Sequence, residues 1–283
     1  MKRGVVLRVL GDRAQVRSGD DEILSLRPKG VLREGGLLAG DEVECSGEHI
    51  TAVGPRRNEL GRPPVANADL LLAVATLRDP AVKQADVDRL LLQAAAIELP
   101  SVIVLNKADL ATPQELDDFA QPYRAAGYRV LEATARRGEG VAGIRAALPE
   151  GLSVLAGPSG VGKSSLLTAL IGIAVEVGEI SARLRRGRHT TRSATLYELA
   201  AGKFIADTPG FSALELPDVA PLRLRELYPE FQGRLCRFGD CVHRSEPDCG
   251  VREAVAAHEI DQGRYERYRQ YLAELEGRPP QWH

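Results

Sequence analysis

The chain has 283 residues, 44% of them hydrophobic, and a formal net charge of −2 at pH 7. That length can bury more than one core, so roughly two to three domains are expected, and the near-neutral balance excludes a global basic field that would condense the protein onto nucleic acid. The N-terminus mixes arginine and aspartate without an apolar block, and no apolar run is long enough to cross a bilayer, which predicts a soluble, cytoplasmic protein without membrane association.

The first segment reads as β structure. Runs at 4–10, 13–17, 22–26, 41–45 and 49–53 alternate apolar and polar residues and are separated by Gly, Asp and Ser turns. Five short strands suit a small barrel such as the OB-fold, a common binder of RNA and single strands, with an SH3-like barrel as the structural rival. Cys45 reads as a buried strand residue, and 58–67, which contains Arg62-Pro63-Pro64, reads as a linker.

An apolar strand at 68–75 is followed by a second at 102–105, fully apolar and rich in β-branched residues as in a buried parallel sheet. The latter delivers Asn106-Lys107-Ala108-Asp109 at its carboxyl end, where open α/β sheets bind ligands. Asp109 can accept hydrogen bonds from both N1–H and the exocyclic amine of guanine. Adenine offers neither in that arrangement, and an unpaired buried carboxylate costs about 1–3 kcal/mol or more. Asn106 would anchor the loop and Lys107 would lie along the base. Further on, Glu132-Ala133-Thr134-Ala135-Arg136 resembles the loop whose backbone amide contacts guanine O6, which makes Thr134 and Ala135 candidate nucleotide contacts.

Next comes Gly157-Pro158-Ser159-Gly160-Val161-Gly162-Lys163-Ser164, a match to GxxxxGK[ST] set between a strand-like run at 152–156 and a helix-like stretch from Ser165. The glycines let successive backbone N–H groups turn inward around phosphates. Lys163 would reach the β and γ phosphates, and the Ser164 hydroxyl would ligate Mg²⁺. Arg183, Arg185, Arg186, Arg188 and Arg192 follow in a stretch without an acid; this is either a solvated loop or a contact for an anionic partner. Within it, Gly187-Arg188-His189-Thr190-Thr191-Arg192 has the polar character of a switch segment, with Thr191 the favoured Mg²⁺ ligand and Thr190 the alternative. A strand at 203–206 then presents Asp207-Thr208-Pro209-Gly210, where Asp207 would hold Mg²⁺ through water and the Gly210 amide would sense the γ-phosphate.

Cys236, Cys241, His243 and Cys249 form CxxxxCxHxxxxxC. Three thiolates and an imidazole suit a closed tetrahedral zinc site; the competing reading is a disulfide with a spare thiol, which a reducing compartment disfavours. A helical region extends to about Glu276, with Val255, Ile260, Tyr268, Leu272 and Leu275 as packing positions. Tyr265, Tyr268 and Tyr271 either stack on nucleotides or pack.

The guanine-reading motif therefore precedes the phosphate loop, the reverse of the usual GTPase order, and this implies a circular permutation. The predicted architecture is multidomain α/β: an OB-like barrel with its linker (1–62), a circularly permuted P-loop GTPase domain (63–215) and a helical zinc-binding domain (216–283). In this order the second switch leaves the domain towards the zinc segment.

These motifs, together with Arg56-Arg57-Asn58-Glu59-Leu60 and Arg62-Pro63-Pro64-Val65-Ala66-Asn67, resemble the ribosome small subunit-dependent GTPase A (RsgA) family over nearly the whole chain. The resemblance implies a GTPase that binds the rRNA of the small ribosomal subunit during its late maturation, is stimulated by that subunit, and acts as a monomer with one zinc ion and Mg²⁺-bound GTP or GDP. Arg192 departs from the third threonine expected there. Phe211 stands where Ras-like enzymes keep a water-orienting glutamine, so slow intrinsic hydrolysis is expected. Lys163 and Gly210 are then candidate catalytic groups, and so is His189, if docking of the arginine-rich loop swings it towards the γ-phosphate; a solvated histidine without a role is the competing reading.

Overall fold

The structure is a computed structural model that describes residues 2–20, 22–33, 36–61, 64–172, 194–207 and 215–278. The predicted N-terminal strands form β1 (Lys2–Leu10), β2 (Arg13–Ser18), β3 (Ile23–Pro28), β4 (Glu42–Ser46) and β5 (His49–Val53). They close into a barrel of order β1-β2-β3-β5-β4, with β3 and β5 parallel. That parallel pairing decides for the OB-like arrangement over a barrel of antiparallel neighbours. Val6, Ala14, Val16, Leu26, Val43, Cys45 and Ile50 fill it, as the alternation requires.

The stretch read as a linker is instead a two-stranded ribbon, β6 (Glu59–Gly61) paired with β7 (Pro64–Ala66). Its ends are held by side chains: Asn58 Nδ2 donates to the Ala68 carbonyl at 2.9 Å, and Asn67 Nδ2 donates to the Gly40 carbonyl at 3.0 Å. Pro and Gly punctuation marks a turn as readily as a tether, and here the paired backbone makes the difference.

The central sheet has six strands in the order β10-β9-β8-β11-β13-β12. These are β8 (Leu70–Ala75), β9 (Ser101–Asn106), β10 (Arg129–Ala133), β11 (Gly151–Ala156), β12 (Thr195–Ala200) and β13 (Lys203–Asp207). All neighbours are parallel except the edge pair β12–β13. Helices α1 (Gln84–Ala96), α2 (Pro113–Ala125), α3 (Val141–Ala147) and α4 (Lys163–Ile171) connect or follow these strands. Every residue of β8 is buried, as expected of a parallel strand covered on both faces.

The C-terminal segment has two helices, α5 (Gly250–Ala256) and α6 (Gln262–Glu276), behind an irregular loop that carries Cys236, Cys241, His243 and Cys249. Its core joins Leu224, Tyr228, Phe231, Tyr268 and Leu272 to Leu92 of α1. The five packing positions expected in this region are all buried. Among the described residues, no helix is long and apolar enough to cross a membrane.

Candidate nucleotide site and metal centre

The three sequence motifs converge at the carboxyl edge of the parallel strands. Asn106 ends β9, the phosphate loop follows β11, and Asp207 ends β13, where it lies in register with Leu155 of β11 and Thr195 of β12. Ligands of open α/β sheets bind at this edge because the loops there are free to adopt special backbone shapes.

Asn106 joins the pieces. Its Nδ2 donates to the Val161 carbonyl of the phosphate loop at 2.8 Å, and its Oδ1 accepts from the Ala135 amide at 3.1 Å. One side chain, 3% exposed, thus fixes the guanine-reading strand, the Thr134–Ala135 loop and the phosphate loop relative to one another. Close packing makes two glycines obligatory: a Cβ on Gly162 would lie 2.4 Å from Asn106 Nδ2, and one on Gly157 2.3 Å from the Val74 carbonyl oxygen. Both have positive φ, which side chains rarely adopt.

Lys163 opens α4 and curls back over the loop, its Nζ donating to the carbonyls of Gly157 at 2.7 Å and Pro158 at 2.9 Å. Burial lowers its pKa, while Asp207 works in the opposite direction. An ammonium held between backbone carbonyls inside a ring of glycines is poised to exchange those weak partners for phosphate oxygens. Ser164 and Ser165 occupy the same first helical turn, and Pro158, Ser159, Gly160 and Val161 complete the loop before it. Thr134 and Asp207 are both 5% exposed.

Lys107 adopts φ 56° and its Nζ donates to the Asp79 carbonyl. Asp109 sits at the start of the loop to α2, and Arg137 Nη2 lies 3.5 Å from its Oδ2. This arginine, which the sequence does not mark as part of the site, is placed by the turn in which Arg137 N donates to the Thr134 carbonyl at 2.9 Å. Its position two residues after Ala135 is the signal that could have found it. His189, Thr190, Thr191 and Gly210 lie outside the described residues, as do the arginine-rich stretch and Phe211.

The Cys₃His set is brought together. Cys236, Cys241, His243 and Cys249 each turn one ligand atom inward, all within 4.8 Å of one another. His243 Nδ1 is 3.3–3.6 Å from the three sulfurs, and Cys236 and Cys249 Sγ are 3.8 Å apart. A tetrahedral zinc with bonds of about 2.3 Å to sulfur and about 2.0 Å to nitrogen would space its ligands by about 3.5–3.8 Å, so these donors fit such an ion. Without a cation, burial pushes the Cys241 thiol up to about 12 and raises Cys249 as well. A metal ion would reverse that cost by stabilising the thiolates. The cysteines are not joined as disulfides.

Tyr265, Tyr268 and Tyr271 are buried and donate their hydroxyls to the carbonyls of His243, Val242 and Ala85 at 2.6, 2.8 and 2.9 Å. They hold the metal loop and α1, so packing is their role and nucleotide stacking is excluded for them.

The RsgA GTPase family profile matches residues 53–217. The chain is 42% identical to the small ribosomal subunit biogenesis GTPase RsgA of Moorella thermoacetica, over 96% of this chain and 97% of that one. The chain belongs to the RsgA GTPase family. It is 38% identical to the RsgA of Geobacillus kaustophilus over the full length of both proteins. Among solved structures, YjeQ from Thermotoga maritima superposes with a TM-score of 0.85 at 34% identity, covering 98% of this chain and 99% of that one. YloQ, described as a circularly permuted GTPase, does so with a TM-score of 0.79 at 30% identity, over 99% and 96%. As an RsgA-family member the protein is a GTP-hydrolysing enzyme, built on the permuted order that the motifs imply.

Proposed function

We propose that this GTPase acts in the biogenesis of the small ribosomal subunit, the role for which its RsgA relatives are named. The observation that carries the nucleotide reading is the double hydrogen bond of Asn106, which supports treating the phosphate loop and the guanine-reading loop as one rigid receptor. In that receptor, residues 157–165 hold the phosphates through backbone amides and Lys163, while Asp109 pairs with guanine beside Lys107, Thr134 and Ala135. Ser164, Thr191 and Asp207 would hold Mg²⁺, which neutralises charge on the β and γ phosphates when bound. The Cys₃His set would hold one structural zinc ion.

The working units are 1–62, 63–215 and 216–283, acting as one cytoplasmic monomer whose barrel and metal loop approach rRNA. Hydrolysis is slow alone, because Phe211 cannot orient water, and rises on the subunit, with Gly210 sensing the γ-phosphate and His189 supplied to the site. GTP turnover with and without purified small subunits tests this. A rise in turnover is expected, and its absence would leave a nucleotide-switched scaffold. His189→Ala should lose stimulated turnover while GTP binding persists; stimulation equal to wild type removes the histidine from the mechanism.

A further inference from the structure

Helix α6 grips the first half of α1 through a row of polar contacts. Arg267 Nη1 donates to Gln84 Oε1 at 3.1 Å and its Nε donates to Asp88. The Tyr271 hydroxyl donates to the Ala85 carbonyl at 2.9 Å, and Arg89 Nη2 pairs with Glu274 Oε2 at 2.5 Å. From α2, Tyr123 donates its hydroxyl to the Gln84 carbonyl at 3.0 Å. Gln84 in turn donates to the Phe119 carbonyl of α2 at 3.2 Å, so the beginning of α1 is held between the C-terminal domain on one side and α2 of its own domain on the other.

What precedes α1 gives this grip its consequence. The loop 77–83 connects β8 to α1 and touches both halves of the nucleotide receptor. Lys107 Nζ donates to the Asp79 carbonyl on the guanine side. On the phosphate side Pro80 lies against Gly160, so closely that a Cβ there would sit 3.1 Å from Pro80 Cδ. The loop is also closed on itself, with the buried Thr76 hydroxyl donating to the Pro80 carbonyl at 2.5 Å and the Val82 amide to the Thr76 carbonyl at 2.8 Å. A short loop tied at both ends transmits displacement because it has few conformations in which to absorb it.

We propose that loop 77–83 couples the seating of the C-terminal domain on α1 to the dwell time of bound guanine nucleotide, with Arg267 and Tyr271 as its positioning residues. The idea rests on the proposed reading of 106–109 and 157–165 as the nucleotide receptor. It supplies a route between metal domain and nucleotide that does not pass through the second switch. Anything that lifts α6 from α1 loosens Asp79 and Pro80, and with them the lysine along the base and the phosphate loop. By reciprocity, nucleotide binding tightens the seat of the C-terminal domain.

The test is the dissociation rate of a fluorescent ribose-labelled GDP, chased by excess unlabelled GDP, from full-length metal-loaded protein well below its unfolding temperature. Arg267→Ala keeps the Arg264–Asp88 pair and should speed dissociation about three- to tenfold with little change in association, the size expected for one lost coupling contact. Arg267→Lys should recover part of the difference. Thr76→Val, which opens the loop from within, should speed release similarly, and the double variant should be no faster than the faster single one. Tyr271→Phe removes only the Ala85 bond and should act in the same direction more weakly, which keeps the proposal testable should Arg267→Ala fold poorly. Wild-type dissociation rates in both Arg267→Ala and Tyr271→Phe would overturn the coupling, and so would effects of Arg267→Ala and Thr76→Val that multiply. Failure of the receptor reading looks different: wild-type protein would not bind GDP, or Asp109→Asn would not shift preference from guanine to xanthine nucleotides.

Discussion

At the barrel seam the GTPase domain meets its neighbour through hydrogen-bonded backbone, the apolar side chains of Leu7 and Ala39 and the partly solvated ion pairs Arg17–Glu198 and Arg57–Asp69, braced by a bidentate Arg56–Asp41 pair within the barrel-and-linker unit; at the C-terminal seam it meets aromatic rings closed around buried charge. Asp41, fully buried, receives Arg56 Nε at 2.7 Å and Nη2 at 2.9 Å, while the Ala66 amide donates to the Ala39 carbonyl at 2.9 Å. On the other side, Arg264 of α6, 3% exposed, donates to Asp88 of α1 at 2.8 Å and to Glu230 at 2.5 Å. Its guanidinium lies 5.2–5.6 Å from the ring centres of Tyr123, Tyr128 and Tyr228. Burial works against that charge, but the two carboxylates outweigh it and leave the Arg264 pKa raised. A polar seam of backbone bonds fixes register; an enclosed charge network tolerates one arrangement and penalises every other. The barrel is thus joined as a rigid extension of the sheet, whereas the C-terminal domain is joined as a separate body with a single keyed seat.

The comparison breaks hardest at the metal. If the C-terminal body depends on its Cys₃His ion, a chelator should unfold it and leave the barrel intact, since binding energies of structural zinc reach about 10 kcal/mol or more and are largely folding energy. Amide exchange should then rise through α5 and α6 and stay slow in β1, β2 and β4. Equal loss of protection in both regions would mean that the seams are not independent.

Asp88→Ala comes next. It leaves Arg264 with Glu230 alone and strips Arg267 of its carboxylate, and breaking a buried pair from one side costs about 3–5 kcal/mol. Chemical denaturation should show this loss, and a cost below about 1 kcal/mol would show the key to be unnecessary. Arg56→Ala tests the brace beneath the other seam, inside the barrel-and-linker unit. Asp41 would keep only the Leu38 amide, 2.7 Å from its Oδ2, and the expected cost is about 2–3 kcal/mol because Arg56 is itself partly solvated.

How legible these features are in the sequence follows from how locally each is determined. The phosphate loop, Asn106–Asp109 and the Cys₃His spacing each lie within one contiguous stretch, where glycine, strand and ligand chemistry act on near neighbours. The barrel strands show in their alternation, and β8 and β9 in their unbroken apolar runs. The seams do not show. Asp88 and Arg264 are 176 positions apart, and each reads as an ordinary polar residue on an amphipathic helix. The ribbon at 59–66 does not show either, because its strands have three residues each, too few for an alternation, and its flanks are tied by Asn58 and Asn67 to Ala68 and to the distant Gly40. Edge strand β12 is equally silent in the sequence, because its half-buried pattern reflects the barrel and β13 beside it rather than a strong period of its own.

Acid should act on the C-terminal side selectively. Burial tends to raise the Glu246 pKa, but backbone amides, among them those of Val242, Arg244 and Ser245, hold it down to about 2. A folded-state pKa below the unfolded one gives stability that is present above about pH 4.5 and lost as the pH falls towards 2. Glu246→Gln removes that contribution at every pH. Wild type should therefore be the more stable near neutrality and the gap should narrow in acid, whereas a gap independent of pH would assign the effect to packing.

The smallest expected effect sharpens the comparison most, because it falls where the barrel touches a strand of the nucleotide site. Arg17 of β2 reaches Glu198 of β12 at 3.0–3.1 Å, and β12 begins at Thr195, directly opposite Asp207. Both partners are partly solvated, so Glu198→Gln should cost only about 0.2–1 kcal/mol, and the difference should fade at about 1 M salt as the pair is screened. Rigid attachment also predicts that the substitution leaves GTP turnover unchanged, since β12 remains fixed by its ladder to β13 and the barrel by Asp41 and Asn67. A change in turnover larger than the stability loss explains would mean that the barrel bears on the Asp207 strand through this one pair. The barrel would then be a second movable body, and the difference between the two seams would be one of strength rather than of kind.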